Sequence, residues 1–226
     1  MDVLLETAQA TTEAPVLPRI GEPAPPFEAK TTQGMLKLSD LAGKWVVLFS
    51  HPADFTPVCT TEFVAFARRA EEFARRNVQL VGLSIDSVYS HLAWLRNIEE
   101  RFGVKVPFPV IADLDMTVAR RYGMIHPKEG TTSTVRALFI IDDRQVVRAI
   151  LYYPMSTGRN IDEVLRIIDS LQTVDREKVA TPADWHPGEP VILPPPQTQA
   201  DLQARLERAA QAGYDCKDWY LCLRKA

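Results

Sequence analysis

Cysteine is scarce in this 226-residue chain, which holds only Cys59, Cys216 and Cys222. An odd and small number excludes the multi-bridge framework of a disulfide-stapled secreted fold. Sparse cysteines then serve packing, metal binding or reactivity, and their neighbours decide which. Long apolar runs are also missing: Trp45-Val46-Val47-Leu48-Phe49 falls far short of the roughly 18 to 20 residues that cross a bilayer. No transmembrane helix is expected. Neither sign of charge dominates, since 26 Lys and Arg face 29 Asp and Glu for a net charge of −3. A chain so balanced has no general attraction for nucleic acid or an anionic membrane, and neither is expected as a partner. The opening MDVLLETAQATTEAP carries acids where a secretion signal carries bases, and lacks an apolar segment of adequate length. A cytoplasmic location is the expectation. Internal repeats and low-complexity segments are absent.

What is present is a globular composition, 46% hydrophobic and 24% charged, in a length of about one and a half domains. Of the 17 prolines, five fall between Pro15 and Pro26 and six between Pro182 and Pro196. Proline fixes φ and removes a backbone donor, so these stretches read as extended arms. They divide the chain into an N-terminal extension, 1–26, a core domain, 27–175, and a C-terminal arm, 176–226.

Within the core, β-rich runs alternate with helical patterns, the signature of an α/β layer structure. The expected strands are Trp45–Ser50, Val78–Ile85, Val110–Ala112, Ala137–Ile141 and Val146–Tyr152. The last two are joined by the polar turn Asp142-Asp143-Arg144-Gln145 as an antiparallel hairpin, which makes the sheet mixed. Phe63, Phe66, Ala67, Ala70, Phe73 and Ala74 share one helical face and predict a helix from Thr61 to Arg76. A second runs from Val88 to Phe102 and stops at Gly103. A third begins at Asn160, with Glu163 three residues on as in an N-capping pattern, and buries Ile161, Val164, Leu165, Ile168 and Leu171. Beyond the core, Val191–Pro196 reads as extended and Gln197–Ala212 as a helix closed by Gly213, ahead of a tail, YDCKDWYLCLRKA, whose aromatics predict docking.

The chemistry concentrates where the strand Trp45–Ser50 runs through His51-Pro52-Ala53-Asp54-Phe55-Thr56-Pro57-Val58-Cys59-Thr60-Thr61-Glu62 into the first helix. Cys59 sits at or just before a helix N-terminus, where free amides and the positive end of the dipole favour an anion, here a thiolate. Pro52 and Pro57 bracket the turn, and the Thr56 hydroxyl, three residues before Cys59, is within reach of the sulfur or of an incoming oxygen. A small buried hydrophobe capping a core helix is the plain alternative for Cys59. Cys59-Thr60-Thr61-Glu62 lacks the second cysteine of a C-x-x-C pair, which excludes a disulfide exchanger working through one local bridge.

This segment resembles the peroxidatic motif of peroxiredoxins, P-x-x-x-T-x-x-C, in the form found in the subgroup of one-cysteine-type enzymes and archaeal thioredoxin peroxidases. The likeness extends over nearly the whole chain: Thr134-Val135-Arg136-Ala137-Leu138-Phe139-Ile140-Ile141-Asp142 is similar to the family strand that bears an active-site arginine, Gly158-Arg159-Asn160 to its second arginine segment, and the arm around Ala183-Asp184-Trp185 and Pro194-Pro195-Pro196 to the subgroup's dimerisation arm. The resemblance implies an elaborated thioredoxin fold and a thiol-dependent peroxidase of hydrogen peroxide and organic hydroperoxides. Cys59 would be the peroxidatic nucleophile, Arg136 and Thr56 would bind the peroxide, and no metal, flavin or haem is required. Arg159 either contributes to the pocket or pairs with Glu62 or another acid. His51 either hydrogen-bonds near the pocket or is a structural residue at a strand end.

Cys216 and Cys222 are six residues apart, about 240° around an ideal helix, so a direct bridge between them needs a loop. The tail resembles the C-x5-C ending of archaeal-type thioredoxin peroxidases. That match implies Cys222 as the resolving cysteine across a subunit boundary, Cys216 in a later exchange or auxiliary role, a thioredoxin-like reductant, and a homodimer assembled into a ring, commonly of ten subunits. Zinc is disfavoured, because C-x5-C is not a zinc knuckle and His51, His91, His126 and His186 are scattered. A phospholipase activity lacks its G-x-S-x-G, since Gly82-Leu83-Ser84-Ile85-Asp86 fails at the last position. A holdase chaperone on the same scaffold is the alternative function.

Overall fold

Three strands with almost no polar residues form the centre of the molecule. In the computed structural model, which describes residues 17–225, β3 (Trp45–Ser50) and β6 (Arg136–Ile141) are buried at every position, and β4 (Val78–Ser84) at all but one. The first 16 residues of the expected N-terminal extension lie outside the described residues. Continuous apolar runs like those of β3, β4 and β6 mark strands covered on both faces. β3 pairs in parallel with β4, through Val47 opposite Leu80, and antiparallel with β6, through Leu48 opposite Phe139. The sheet has seven strands in the order β2-β1-β5-β4-β3-β6-β7, completed by β1 (Glu28–Thr31), β2 (Gly34–Lys37), β5 (Val110–Ala112) and β7 (Val147–Tyr153). Because side chains alternate along a strand, Trp45, Val47 and Phe49 enter one apolar layer while Val46 and Leu48 enter the other.

The first layer holds the helices that carry the site. α1 (Pro57–Arg68) begins earlier than Thr61, with Thr56 in extended conformation at its N-cap and Pro57 in its first turn, the position where a missing N–H costs nothing. The expected single helix to Arg76 is broken: Arg69 (φ −102°, ψ 5°) closes α1 with a tight bond from its amide to the Phe66 carbonyl, and α2 (Ala70–Arg75) follows. The apolar period runs through the break, which keeps Phe73 6.0 Å from Phe66, ring to ring. α3 (Val88–Phe102) has Ser87 accepting the Ser90 amide at one end and left-handed Gly103 (φ 64°) at the other. α4 (Thr117–Arg121) opens on the buried Asp113 carboxylate, which accepts the Val118 and Ala119 amides. α5 (Ile161–Glu177) opens on Asn160, whose side chain accepts the Asp162 and Glu163 amides.

The hairpin of β6 and β7 turns as expected, organised by buried Asp142, which accepts the Arg144 and Val146 amides. Residues ahead of β1 run beside it, where Gly21 donates to the Val147 carbonyl and Ala24 to that of Gln145.

α5 runs two residues past the expected boundary at 175/176, and residues 178–225 fold onto its end. Val179, Trp185 and Val191 make a small apolar cluster, and Trp185 donates its indole N–H to the Glu189 carbonyl. β8 (Val191–Ile192) occupies only the start of the stretch expected to be extended, and α6 spans Gln199–Gln211 behind a Thr198 N-cap. The tail forms a hairpin of β9 (Asp215–Asp218) and β10 (Leu221–Arg224) in a three-stranded sheet, β8-β10-β9. Arg224 ties it to Glu177 of α5 at 2.7 Å. Among the described residues, no helix is long and apolar enough to cross a membrane.

Candidate active site

The loop from His51 to Thr56 delivers the chain from the end of β3 to the start of α1, and Cys59 lies in the first turn of that helix. The first backbone bond within the helix runs from the Thr60 amide to the Thr56 carbonyl at 3.0 Å. Helix geometry therefore leaves the Val58 and Cys59 amides without partners inside α1, in the region where the dipole is positive. The Cys59 sulfur is fully buried. Arg136, the first residue of β6, donates to it from Nη1 at 3.3 Å. Hydrogen bonds from a charged donor of this kind are among the stronger ones.

Arg136 is itself held by two partners. Its Nε and Nη2 donate to the Met155 carbonyl at 2.9 and 2.6 Å, and Nη1 donates also to Glu62 Oε2 at 2.8 Å. Glu62, one turn along α1 from Cys59, accepts as well from the Arg159 amide, Nε and Nη2 at 2.7–2.8 Å. Arg159 gives its remaining nitrogen to the Ala137 carbonyl at 2.9 Å and lies over the rings of Phe49 and Phe66. Burial pushes the Glu62 carboxyl up, but the charge and hydrogen bonds of Arg159, followed by the charge of Arg136, outweigh it and hold the group below the usual carboxylate range. Two buried guanidinium groups share one carboxylate, and the uncompensated positive charge faces the sulfur.

Thr56 is near this centre but oriented otherwise than expected. Its hydroxyl donates to the Ala53 carbonyl at 2.8 Å rather than to the sulfur, which leaves its lone pairs free to accept from a substrate proton. Pro52 is half-buried in the same loop. His51 turns to Asp54, with Nε2 2.9 Å from Oδ1, and its Nδ1 is buried with no hydrogen-bond partner. Asp54 also faces His91 Nδ1, at 3.0 and 2.8 Å from its two oxygens. The histidines that look scattered along the chain are thus half-gathered, two of the four around one aspartate. Their donor atoms have the proximity a metal needs. A metal on His51 Nε2, however, would force a proton onto Nδ1, which has no acceptor, so the set does not fit one.

Arg136, Arg159 and Cys59 are brought together through Glu62; Cys216 and Cys222 are not brought to Cys59 within the chain. They are bonded to each other, as cross-strand partners of β9 and β10 in the tail hairpin, and Cys59 is free. The helical tail geometry that kept them apart is replaced by a turn at Trp219-Tyr220, the loop a direct bridge requires. Ser84, from the imperfect G-x-S-x-G, is buried and its hydroxyl donates a hydrogen bond to Asp86 at 2.6 Å.

Sequence reasoning passed over Glu62 as a site residue, and missed Asp54, His91 and the Met155 carbonyl. Glu62 had a signal, an acid three residues after Cys59 beside the apolar Phe63 and Phe66. His91 had a weaker one, as the polar member of the buried stripe His91, Trp94 and Ile98 on α3.

The sequence matches the AhpC/TSA family over residues 20–150 and the C-terminal domain of 1-Cys peroxiredoxin over residues 170–208. It is 62% identical over 221 residues to a peroxiredoxin of Aquifex aeolicus, covering 92% of this chain and 97% of that one. It is 55% identical over 216 residues to a peroxiredoxin of Methanosarcina mazei, covering 92% and 98%. Among solved structures, the yeast mitochondrial 1-Cys peroxiredoxin, studied for its thiol resolving mechanism via glutathione/thioredoxin systems, superposes with a TM-score of 0.82 at 44% identity over 92% of this chain and 99% of that one. A cysteine-to-serine mutant of peroxiredoxin 6 from Arenicola marina gives a TM-score of 0.82 at 38% identity over 92% and 97%. With a buried cysteine at a helix N-terminus facing an arginine, in a mixed sheet flanked by helices, and with relatives this similar along nearly its whole length, the chain belongs to the peroxiredoxin family of thiol peroxidases.

Proposed function

We propose that Cys59 is the peroxidatic nucleophile, that Cys222 of a neighbouring subunit resolves it, and that Cys216 completes a thiol relay in the tail. The observation that carries the first part is the 3.3 Å approach of Arg136 Nη1 to the Cys59 sulfur. The thiolate attacks one peroxide oxygen in line. The S–O bond forms as the O–O bond breaks, the sulfur is oxidised to sulfenic acid, and the departing oxygen takes up a proton as water or an alcohol. Arg136 and the free amides of the first helical turn stabilise charge on that departing oxygen, and Thr56 accepts from the peroxide proton.

The Cys222 thiol then displaces water from the sulfenic acid and forms a Cys59–Cys222 disulfide between subunits. Attack by Cys216 on the Cys222 sulfur releases the Cys59 thiol and leaves the Cys216–Cys222 disulfide, the pairing present in the hairpin. An external dithiol of the thioredoxin type reduces it. In a reducing cytoplasm such a bridge is a transient catalytic one. A homodimer, and a ring of dimers such as a decamer, would bring the tail of one subunit to Cys59 of another. The exposed Phe55 and Phe102 beside Thr56 and Trp94 give a second copy an apolar surface to cover. In this scheme the C-terminal arm, expected from residue 176 onward, carries the resolving thiol.

Peroxide consumption by purified protein with dithiothreitol tests the reading. Wild type consumes hydrogen peroxide and Cys59→Ser does not; equal rates would overturn it.

A further inference from the structure

We infer that His91 is a positioning residue of the peroxidase reaction: as a doubly protonated imidazole on α3 it clamps Asp54, and through Asp54 it fixes the loop that places Thr56 and Cys59. The inference rests on the proposed role of Cys59 and adds a residue outside the motif, 37 positions from Asp54 in sequence.

The donor and acceptor chemistry around His91 is complete on both sides. Its Nε2 lies 3.1 Å from the Ile111 carbonyl, an oxygen that can only accept, so Nε2 carries a proton. Its Nδ1 faces both oxygens of Asp54, which as a carboxylate can also only accept, so Nδ1 carries one too. The carboxylate state follows from the surroundings of Asp54. Burial raises its pKa, but the hydrogen bonds that His51 and His91 donate more than reverse that and hold it well below the usual range. Burial pushes the His51 imidazole down against the pull of Asp54, and its Nδ1 has no partner, so His51 meets Asp54 through a single protonated nitrogen. The titratable groups facing His91 are Asp54 and His51 from the loop, with Asp86 behind, where its carboxylate accepts the Asp54 amide at 3.1 Å.

The clamp acts where the backbone has least freedom. Between Asp54 and the start of α1 at Pro57 there are two residues, Phe55 and Thr56, and Phe55 is held in the left-handed region at φ 55°, a conformation that non-glycine residues adopt only when their surroundings impose it. On the other side, Thr134 donates to the His51 carbonyl at 2.7 Å. A rotation of Asp54 passes through Phe55 to Thr56 and to the free amides of the first helical turn. Displacement of such groups by about 1 Å slows a reaction by up to about 100-fold.

The experiment compares two reactions of the same sulfur in the full-length reduced protein. In His91→Asn, the rate constant of Cys59 with hydrogen peroxide falls about tenfold, whereas alkylation by iodoacetamide, which needs the thiolate but neither the Thr56 acceptor nor stabilisation of a departing oxygen, falls by clearly less. Asp54→Asn shows the same split, and the double variant falls no further than either single one, as residues on one path do. In wild type, nitrogen-15 spectra of the histidines show a proton on each His91 ring nitrogen, a readout that does not depend on whether a variant folds. A wild-type peroxide rate in folded His91→Asn, an equal slowing of both reactions, a neutral His91 ring, or one equivalent of divalent metal in the purified protein would each overturn the inference. Loss of peroxide consumption in Cys59→Ser alongside a wild-type rate in His91→Asn would overturn it while leaving the proposed function standing.

Discussion

Arg136 and Cys59 meet across the sheet, the guanidinium from the start of β6 reaching the sulfur in the first turn of α1 at 3.3 Å. They are separated by 77 residues, so their approach depends on the antiparallel pairing of β3 with β6. Replacing Arg136 by Met removes the donor aimed at both the thiolate and the departing oxygen. The second-order rate constant with peroxide should fall by about 10²–10³-fold, measured by competition with a reference peroxidase. Arg136→Lys should recover little of it, because one ammonium cannot hold the Met155 carbonyl, Glu62 and the sulfur together.

Glu62→Gln leaves Arg136 and Arg159 buried without their shared anion. Breaking a buried pair in this way destabilises by about 3–5 kcal/mol, which a urea midpoint at neutral pH would register. The pH dependence follows from the depressed Glu62 carboxyl. Its contribution is fully present above about pH 4.3, the unfolded value, and is lost as pH falls through the lower folded value. The acid limb of the stability profile should therefore be shallower in Glu62→Gln than in wild type.

Non-reducing electrophoresis after stoichiometric peroxide tests the order of the relay. Cys216→Ser should accumulate a Cys59–Cys222 dimer, because nothing is left to attack it. Cys222→Ser should show no such dimer. Wild type should pass through the dimer to a monomer whose tail peptide carries the Cys216–Cys222 bridge, identified by mass spectrometry.

Cys216 is half-buried and Cys222 fully buried, so an external thiolate reaches the Cys216 sulfur first and expels Cys222. A thioredoxin lacking its own resolving cysteine should be trapped on Cys216. A mixed disulfide at Cys222 would reverse the direction of reduction.

Much of the core was legible from residue patterns. α3 has the bounds that Ser87 and Gly103 imply, and the capping pattern at Asn160 opens α5. Continuous apolar runs marked the buried strands. β1 and β2 were not legible, because EAKTTQGMLK is polar and lies at a sheet edge where pairing, not burial, makes the strand. The break at Arg69 was invisible because the helical period of α1 continues into α2. In the site, Cys59 and Arg136 were readable as types in a motif and by resemblance. The bond from His91 to Asp54 was not, since the two are 37 residues apart and only the packing of α3 against the loop brings them together. The tail left its pairing open for a related reason: a C-x5-C spacing separates two thiols on a helix but unites them in a hairpin, and the local sequence does not choose.

Trp94 donates its indole N–H to the Thr60 hydroxyl at 3.2 Å, and Thr60 in turn donates to the Thr56 carbonyl at 2.7 Å. A buried Cys59 sulfur can enter a disulfide with another chain only if the first turn of α1 unwinds, and that unwinding breaks the bond from Thr60 to Thr56. The indole would then lose its ordered partner in the same event. In the proposed relay Trp94 would therefore be an intrinsic fluorophore beside the reacting turn, and a change in its emission on oxidation would record the unwinding.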